Sequence, residues 1–236
     1  MAPTALALKR AVRDVKMATQ SASLKEQGIY YVPDESNVMH GIALLVGKKD
    51  TPYVGGYYFF DVTFPDDYPF APLQIKTLTQ DGVTRFNPNL YVDGKVCLSI
   101  LNTWHDGPQW CGIQTLESVL MVIMSDVLCE VPLQGEPAYR TCGLSDRSQI
   151  YNRIVFHSNV RAAVVSQLRD PPKYAELFAE QMQAAFERQK ADIKAALEAH
   201  MQYDGLQEQC QVYNMAIKYN FKKLLGDIDA LKKDPA

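Results

Sequence analysis

Every segment with strand character in this 236-residue chain falls between residues 29 and 78. Three apolar runs come first, the outer two rich in aromatics: Ile29-Tyr30-Tyr31-Val32, Gly41-Ile42-Ala43-Leu44-Leu45-Val46, and Tyr57-Tyr58-Phe59-Phe60-Asp61-Val62-Thr63-Phe64. A shorter fourth, Leu73-Gln74-Ile75-Lys76-Thr77-Leu78, follows the proline-bracketed Tyr68-Pro69-Phe70-Ala71-Pro72. Turn-forming residues at 34–37 and a loop at 48–56 separate the first three, so an antiparallel meander is the simplest arrangement.

Helices flank that meander. Residues 4 to about 19 place Leu6, Ala7, Ala11, Val15 and Ala18 on one helical face, with basic residues opposite and Thr4 as N-cap. A second helix is expected from near Gln114 to about Cys129, burying Leu116, Val119, Leu120, Ile123 and Val127 before Pro132 breaks the pattern. From about residue 144 no strand signal remains. The spacing predicts helices over about 144–168, 172–201 and 206–232, the second opened by Pro171-Pro172 and the third set off by Asp204-Gly205. The fold class is therefore α+β with an all-helical C-terminal extension.

Between the fourth strand and the second helix, residues 79–112 are rich in Gly, Pro, Asn and Asp and show no sustained periodicity. A loop of that length inside a compact domain is uncommon and usually functional. It contains an Asn87-Pro88-Asn89 turn eight residues ahead of Cys97, which itself follows the Gly94-Lys95 turn. A cysteine can attack an acyl group, and a nearby asparagine amide can steady the oxyanion that forms. The run reads as a site for thioester chemistry.

Bulk properties exclude several alternatives. Apolar residues at 47% and charged residues at 22% suit a folded chain, and a net charge of -3 gives no broad basic field for nucleic acid. No apolar run approaches the roughly 20 residues that span a bilayer, and the N-terminus lacks the apolar core of a secretory signal, so a cytosolic or nuclear location is expected. Five cysteines without a CxxC pair and four histidines without HxxxH spacing suit neither a disulfide framework nor a zinc site. No metal and no cofactor is expected.

The order of elements and several motifs resemble the ubiquitin-conjugating enzyme family over roughly residues 4–165. Thr51-Pro52-Tyr53-Val54-Gly55-Gly56-Tyr57-Tyr58-Phe59 is similar to that family's entry into its third strand, and Phe64-Pro65-Asp66-Asp67-Tyr68-Pro69-Phe70-Ala71-Pro72 to its proline-rich turn. Gly94-Lys95-Val96-Cys97-Leu98 is similar to its active-site segment, and Trp110 to the tryptophan ahead of its second helix. Departures point to a branch. Asn87 stands where a histidine is usual, an added Asn102-Thr103-Trp104-His105-Asp106-Gly107 separates Cys97 from Trp110, and Trp110-Cys111-Gly112-Ile113 replaces the common Trp-Ser-Pro-Ala. With Gly135-Glu136-Pro137 and the tail, these resemble the larger Z-type members and the giant inhibitor-of-apoptosis conjugating enzymes.

The resemblance implies a catalytic domain at 1–165 and a helical extension at 166–236. It implies that Cys97 takes ubiquitin or a related modifier as a thioester from an activating enzyme and passes it to a lysine amine or a ligase cysteine. Asn89 is then the oxyanion donor, and Asn87 a structural substitute for the histidine. Glu136 and Asp106 are the candidate carboxylates that ready the incoming lysine, each also readable as a solvated loop charge. Tyr139, beside Glu136, is a candidate to pack over the site. Lys9 and Arg10 of the first helix correspond to the surface gripped by the activating enzyme, and Phe70 to a ligase contact; the altered 110–113 loop puts the usual ligase contacts in question. Two other readings compete: a non-catalytic variant that only binds ubiquitin or a partner, which an intact Cys97 and Asn89 disfavour, and a papain-like hydrolase, for which no histidine motif is present.

Overall fold

The computed structural model describes residues 2–231; Met1 and residues 232–236, including the last residue of the helix expected over 206–232 and the outer ends of both expected regions, lie outside the described residues. The first helix, α1 (Ala5–Gln20), starts where Thr4 accepts the Ala7 N–H on its hydroxyl at 3.1 Å. It buries Ala7, Ala11, Asp14, Val15 and Ala18. Leu6, expected on that face, is instead about half exposed, because the stripe is centred one residue further on. Ser21 ends α1 and caps the short α2 (Ala22–Glu26).

Four strands follow: β1 (Ile29–Pro33), β2 (His40–Val46), β3 (Tyr57–Thr63) and β4 (Gln74–Thr77). They pair antiparallel in chain order, with Ala43 opposite Tyr31 and Phe60, so the meander forms as expected. Neighbouring side chains on a strand point to opposite faces. The inner set, Ala43, Leu45, Tyr58, Phe60 and Val62, joins α1 and the later helices in the main core. The outer set, Ile42, Leu44, Val46, Tyr57 and Phe59, would meet water in a one-sided antiparallel sheet. Here it is covered from the C-terminal side by Ala175, Phe178, Met182 and Ala185.

The helix after the long loop, α3 (Leu116–Val122), opens with a reciprocal cap between Thr115 and Ser118 and runs on through a π-helical turn, Ile123–Val127. Leu116, Val119, Leu120, Ile123 and Val127 are all fully buried. Next, α4 (Asp146–Ser158) continues through a π-helical stretch, Asn159–Val165, into α5 (Ser166–Arg169). A 3₁₀ stretch, Lys173–Phe178, leads into α6 (Ala179–Ala199), which lays Met182 and Ala185 on the outer sheet face and sends Phe186, Ile193 and Leu197 into the main core. Leu177, assigned to the same apolar stripe, is 52% exposed because it faces away from the sheet.

The α+β class holds and the C-terminal region is mainly helical, but the single helix expected over 206–232 does not form. Two short antiparallel strands, β5 (Gln207–Cys210) and β6 (Met215–Lys218), make a hairpin there, and only α7 (Phe221–Ala230) is helical. The run Gln207-Glu208-Gln209-Cys210 alternates in burial, with Glu208 and Cys210 facing inward. Arg153 of α4 holds Glu208 through two guanidinium hydrogen bonds, of 2.8 and 2.6 Å, which fix the strand to the domain. Tyr213 and Ala216, expected on a helix, lie in the hairpin loop and on β6 instead, whereas Leu224 and Ile228 do pack inward from α7.

Candidate active site

The segment leading to Cys97 is pinned to the sheet edge before it reaches the cysteine. Thr77 of β4 donates its N–H to the Gly94 carbonyl at 2.9 Å, and Gly94 turns the chain at φ +93°, a conformation that suits glycine. Bridges Lys76–Lys95 and Leu90–Val96 then carry the backbone to Cys97. Beyond it, a 3₁₀ turn at Ser99–Leu101 ends on Asn102, whose side chain accepts the Trp110 N–H at 2.9 Å.

Cys97 and Asn89 are joined by two hydrogen bonds. The Cys97 N–H donates to the Asn89 carbonyl at 2.9 Å, and the Asn89 side-chain amide donates to the Cys97 carbonyl at 2.6 Å. An amide nitrogen has a second N–H, so the Asn89 side chain keeps a further donor while bonded to the Cys97 backbone. Cys97 is only 3% exposed, and its Sγ donates to the Thr103 carbonyl at 2.8 Å. Thr103 belongs to the added segment at 102–107. Its hydroxyl accepts the Leu98 N–H at 2.8 Å, which holds that segment down over the cysteine.

Asn87 is fully buried and does the structural work expected of it. Its amide donates to the Val127 carbonyl at 2.7 Å and to the Tyr53 hydroxyl at 3.2 Å, while its Oδ1 accepts the Asn89 N–H at 2.7 Å. Arg85 braces the same turn from outside, donating to the carbonyls of Asn87 (3.2 Å) and Pro88 (2.7 Å) with its guanidinium 3.4 Å from the centre of the Tyr91 ring. Burial alone would raise the Asp81 carboxyl. The Thr84 N–H and hydroxyl, the Val83 N–H and Arg161 instead hold it below the usual carboxylate range and anchor the start of the loop.

The two candidate carboxylates are placed differently. Asp106 pairs with Arg140 across the gap between the added segment and the stretch after α3, and both side chains are more than half exposed. Glu136 follows Gly135, where a Cβ would stand 2.7 Å from the Asn89 Oδ1, so only glycine lets this segment lie so close to Asn89. Glu136 accepts a 2.6 Å hydrogen bond from the Tyr213 hydroxyl of the C-terminal hairpin. Tyr139 is half-buried and has the Arg147 guanidinium over its ring at 5.5 Å. Sequence reasoning missed Thr103, Arg85, Arg140 and Tyr213. Arg85, two residues from the turn, was findable by spacing. Tyr213 gave no local signal.

On the neighbouring face, Arg10 donates to the carbonyls of Gly112 (3.0 Å) and Gln114 (2.8 Å) and to Asp14 (3.0 Å), so its guanidinium is taken up inside the molecule. Lys9 is exposed. Trp110 donates its ring N–H to the Pro69 carbonyl at 2.8 Å and so sets the 110–113 loop beside the proline turn. Phe70 and Ile113 are 76% and 86% exposed on those two loops. Among the described residues no group of His, Cys, Asp and Glu is arranged to hold a metal, and no helix is long and apolar enough to cross a membrane.

Comparison with known proteins gives a match to the family model described as ubiquitin-conjugating enzyme over residues 10–164. The chain is 43% identical to ubiquitin-conjugating enzyme E2 Z of Xenopus tropicalis over 142 residues, 60% of this chain and 45% of that protein. It is 41% identical to ubiquitin-conjugating enzyme E2 Z of Homo sapiens over 142 residues, 60% of this chain and 40% of that protein. It is also 35% identical to the human dual E2 ubiquitin-conjugating enzyme/E3 ubiquitin-protein ligase BIRC6 over 203 residues, 82% of this chain but 4% of that protein. The chain thus spans less than half the length of these relatives.

Proposed function

This chain belongs to the ubiquitin-conjugating enzyme family and is similar to its Z-type members, and from that premise we propose that it carries ubiquitin, or a ubiquitin-like modifier, as a thioester on Cys97. The observation that carries this reading is the pairing of Cys97 with Asn89, whose side-chain amide is hydrogen-bonded to the backbone of the cysteine itself. Loading is an exchange. The Cys97 thiol gives up its proton, its sulfur attacks the thioester carbonyl on an activating enzyme, the new C–S bond forms, and the activating enzyme's thiolate leaves. ATP is spent by that partner, not by this chain.

Discharge follows the same logic. A lysine amine, freed of its proton, attacks the Cys97 thioester carbonyl, and the oxyanion of the tetrahedral intermediate meets the Asn89 amide. The C–S bond then breaks, the nitrogen gives its extra proton to solvent, and Cys97 leaves as thiolate. A ligase cysteine in place of the amine gives a second thioester by the same steps. Because Cys97 is covered by Thr103, the 102–107 segment has to shift before either reaction. The exposed Lys9 and Leu8 form part of the surface offered to the activating enzyme, with Arg10 bracing the loop behind them. Phe70 and Ile113 offer the ligase an apolar contact. Neither nucleic acid nor membrane is a partner in this reading, and the five cysteines, free in the structure, suit the reducing cytosol or nucleus.

The test mixes the full chain with activating enzyme, ATP and ubiquitin or a related modifier, and resolves the products on a non-reducing gel. A shifted band that thiol removes, and that Cys97→Ser converts to a thiol-resistant ester, is expected. Asn89→Ala should still load, yet discharge to lysine about 10²–10³-fold more slowly. No adduct with any pairing would overturn the reading and leave a non-catalytic binding module in its place.

A further inference from the structure

The C-terminal hairpin ends at the candidate active site. Its four-residue loop, 211–214, carries Tyr213 at φ +60° and Asn214 at φ +50°. A bulky residue takes up that left-handed backbone only under constraint, and such outliers gather at functional positions. The constraint here is visible. The Tyr213 ring meets Tyr151 edge-on at 6.2 Å between ring centres, lies 4.7 Å from the Arg85 guanidinium, and places its hydroxyl 2.6 Å from a Glu136 carboxylate oxygen. Arg85 in turn holds the carbonyls of Asn87 and Pro88, next to Asn89. One side chain of the extension therefore touches both borders of the Cys97 site, the asparagine turn and the Glu136 stretch. Burial, and then the carboxylate it donates to, keep the Tyr213 phenol protonated well above the ordinary tyrosine range, so it remains a donor.

We propose that Tyr213 is a positioning residue for transfer to lysine, fixing the Glu136 carboxylate beside Asn89 so that it receives the incoming ammonium group. The proposal rests on the Cys97 thioester reading. A free glutamate has three rotatable bonds, and freezing them in advance removes that cost from the reaction step. Tyr213 holds Oε2, and Oε1 is the oxygen that meets the amine. The ammonium donates a proton to it, and the neutral nitrogen attacks the thioester carbonyl. The attacking nitrogen sheds its second proton to solvent as the C–S bond breaks, the departing Cys97 sulfur takes one up from solvent, and Glu136 returns the proton it received. A thiol acceptor ionises more readily than an ammonium group, so exchange onto sulfur needs no such carboxylate.

The experiment loads the full chain, removes ATP, and follows single-turnover discharge to free lysine and, separately, to a small thiol without an amine. Tyr213→Phe keeps the ring on Tyr151 and Arg85 and removes only the hydroxyl. It should load normally, discharge to thiol at the wild-type rate, and discharge to lysine roughly tenfold more slowly, with the pH–rate profile moved to higher pH. Glu136→Gln should reproduce that pattern without touching the hairpin, and the double variant should lose no more than either single one. Lysine discharge by Tyr213→Phe at the wild-type rate and pH profile would overturn the proposal alone. So would a parallel fall in lysine and thiol discharge in both variants. A wild-type chain that takes no modifier would overturn the thioester reading, and this proposal with it.

Discussion

The two borders of the Cys97 site are built by opposite means. The Asn87–Asn89 turn is made from buried groups, and its central amide has three partners inside the core. The Asp106 and Glu136 border is held at its edges, by one exposed ion pair and by one hydrogen bond from a hairpin 77 residues further along the chain. Buried polar groups are costly to leave unpaired, so the first border is fixed whenever the domain is folded. The second depends on how well distant segments are docked. Under the proposed thioester reading, the group assigned to the oxyanion is thus on the rigid border, while the carboxylates lie on the adjustable one.

The largest test of this contrast is Asn87→Ala. It strands the Val127 carbonyl and the Asn89 N–H in a dry site, and should cost about 2–4 kcal/mol of stability. Chemical denaturation should show that loss, and thioester loading should fall with it. An unchanged midpoint would mean that the turn is not part of the core.

Acid should separate the borders next. His157 is buried against Asn220 at 2.7 Å with its Nδ1 unpartnered, and His200 lies between Phe156 and Phe221. Burial lowers the pKa of both below the ordinary histidine value. The folded chain then keeps them neutral while the unfolded chain binds protons. Stability is full above about pH 6.5 and is lost as pH falls toward the depressed folded-state values. Both residues clamp the start of α7, so hydrogen exchange over 207–221 should quicken between pH 7.5 and 5.5. Residues 87–97 should keep their protection. Equal loosening of both segments would erase the distinction.

Asp106→Asn should have the smallest effect. An ion pair with side chains 58% and 53% exposed contributes at most about 1 kcal/mol and is screened by salt. Melting should be nearly unchanged, and lysine discharge should stay within about twofold of wild type. A large fall in discharge alone would move Asp106 from a latch to a catalytic role.

Much of this molecule is legible in its sequence, because the signals are local. Period-3.6 apolar spacing marked α1, α3 and α6; apolar runs between turn residues marked the four strands; and the Gly94 turn with Asn89 and Cys97 marked the candidate site. The covering of the sheet's outer face is not part of that reading: it comes from Ala175, Phe178, Met182 and Ala185, more than a hundred residues beyond the strands they meet. The hairpin at 207–218 was not legible. Its strands are four residues each, and they are stabilised by Arg153 on α4 and by the core under Cys210 and Met215 rather than by their own pattern. Helical spacing of apolar residues arose there by coincidence, and tertiary contacts decided against it.

By itself the sequence determined the order of elements as far as α6 and singled out Cys97 and Asn89 as the candidate pair, because each rests on local spacing and turn chemistry. Only the tertiary structure decided that Thr103 covers the sulfur, that Arg10 is spent on the 112–114 loop, and that Tyr213 reaches Glu136. Those contacts join residues as far as 104 positions apart. Their energies come from burial and alignment achieved only after the chain has closed on itself; the Arg10 and Tyr213 contacts span more of the chain than any local window, and even Thr103, six residues from Cys97, is brought over the sulfur by a turn that no periodic pattern marks.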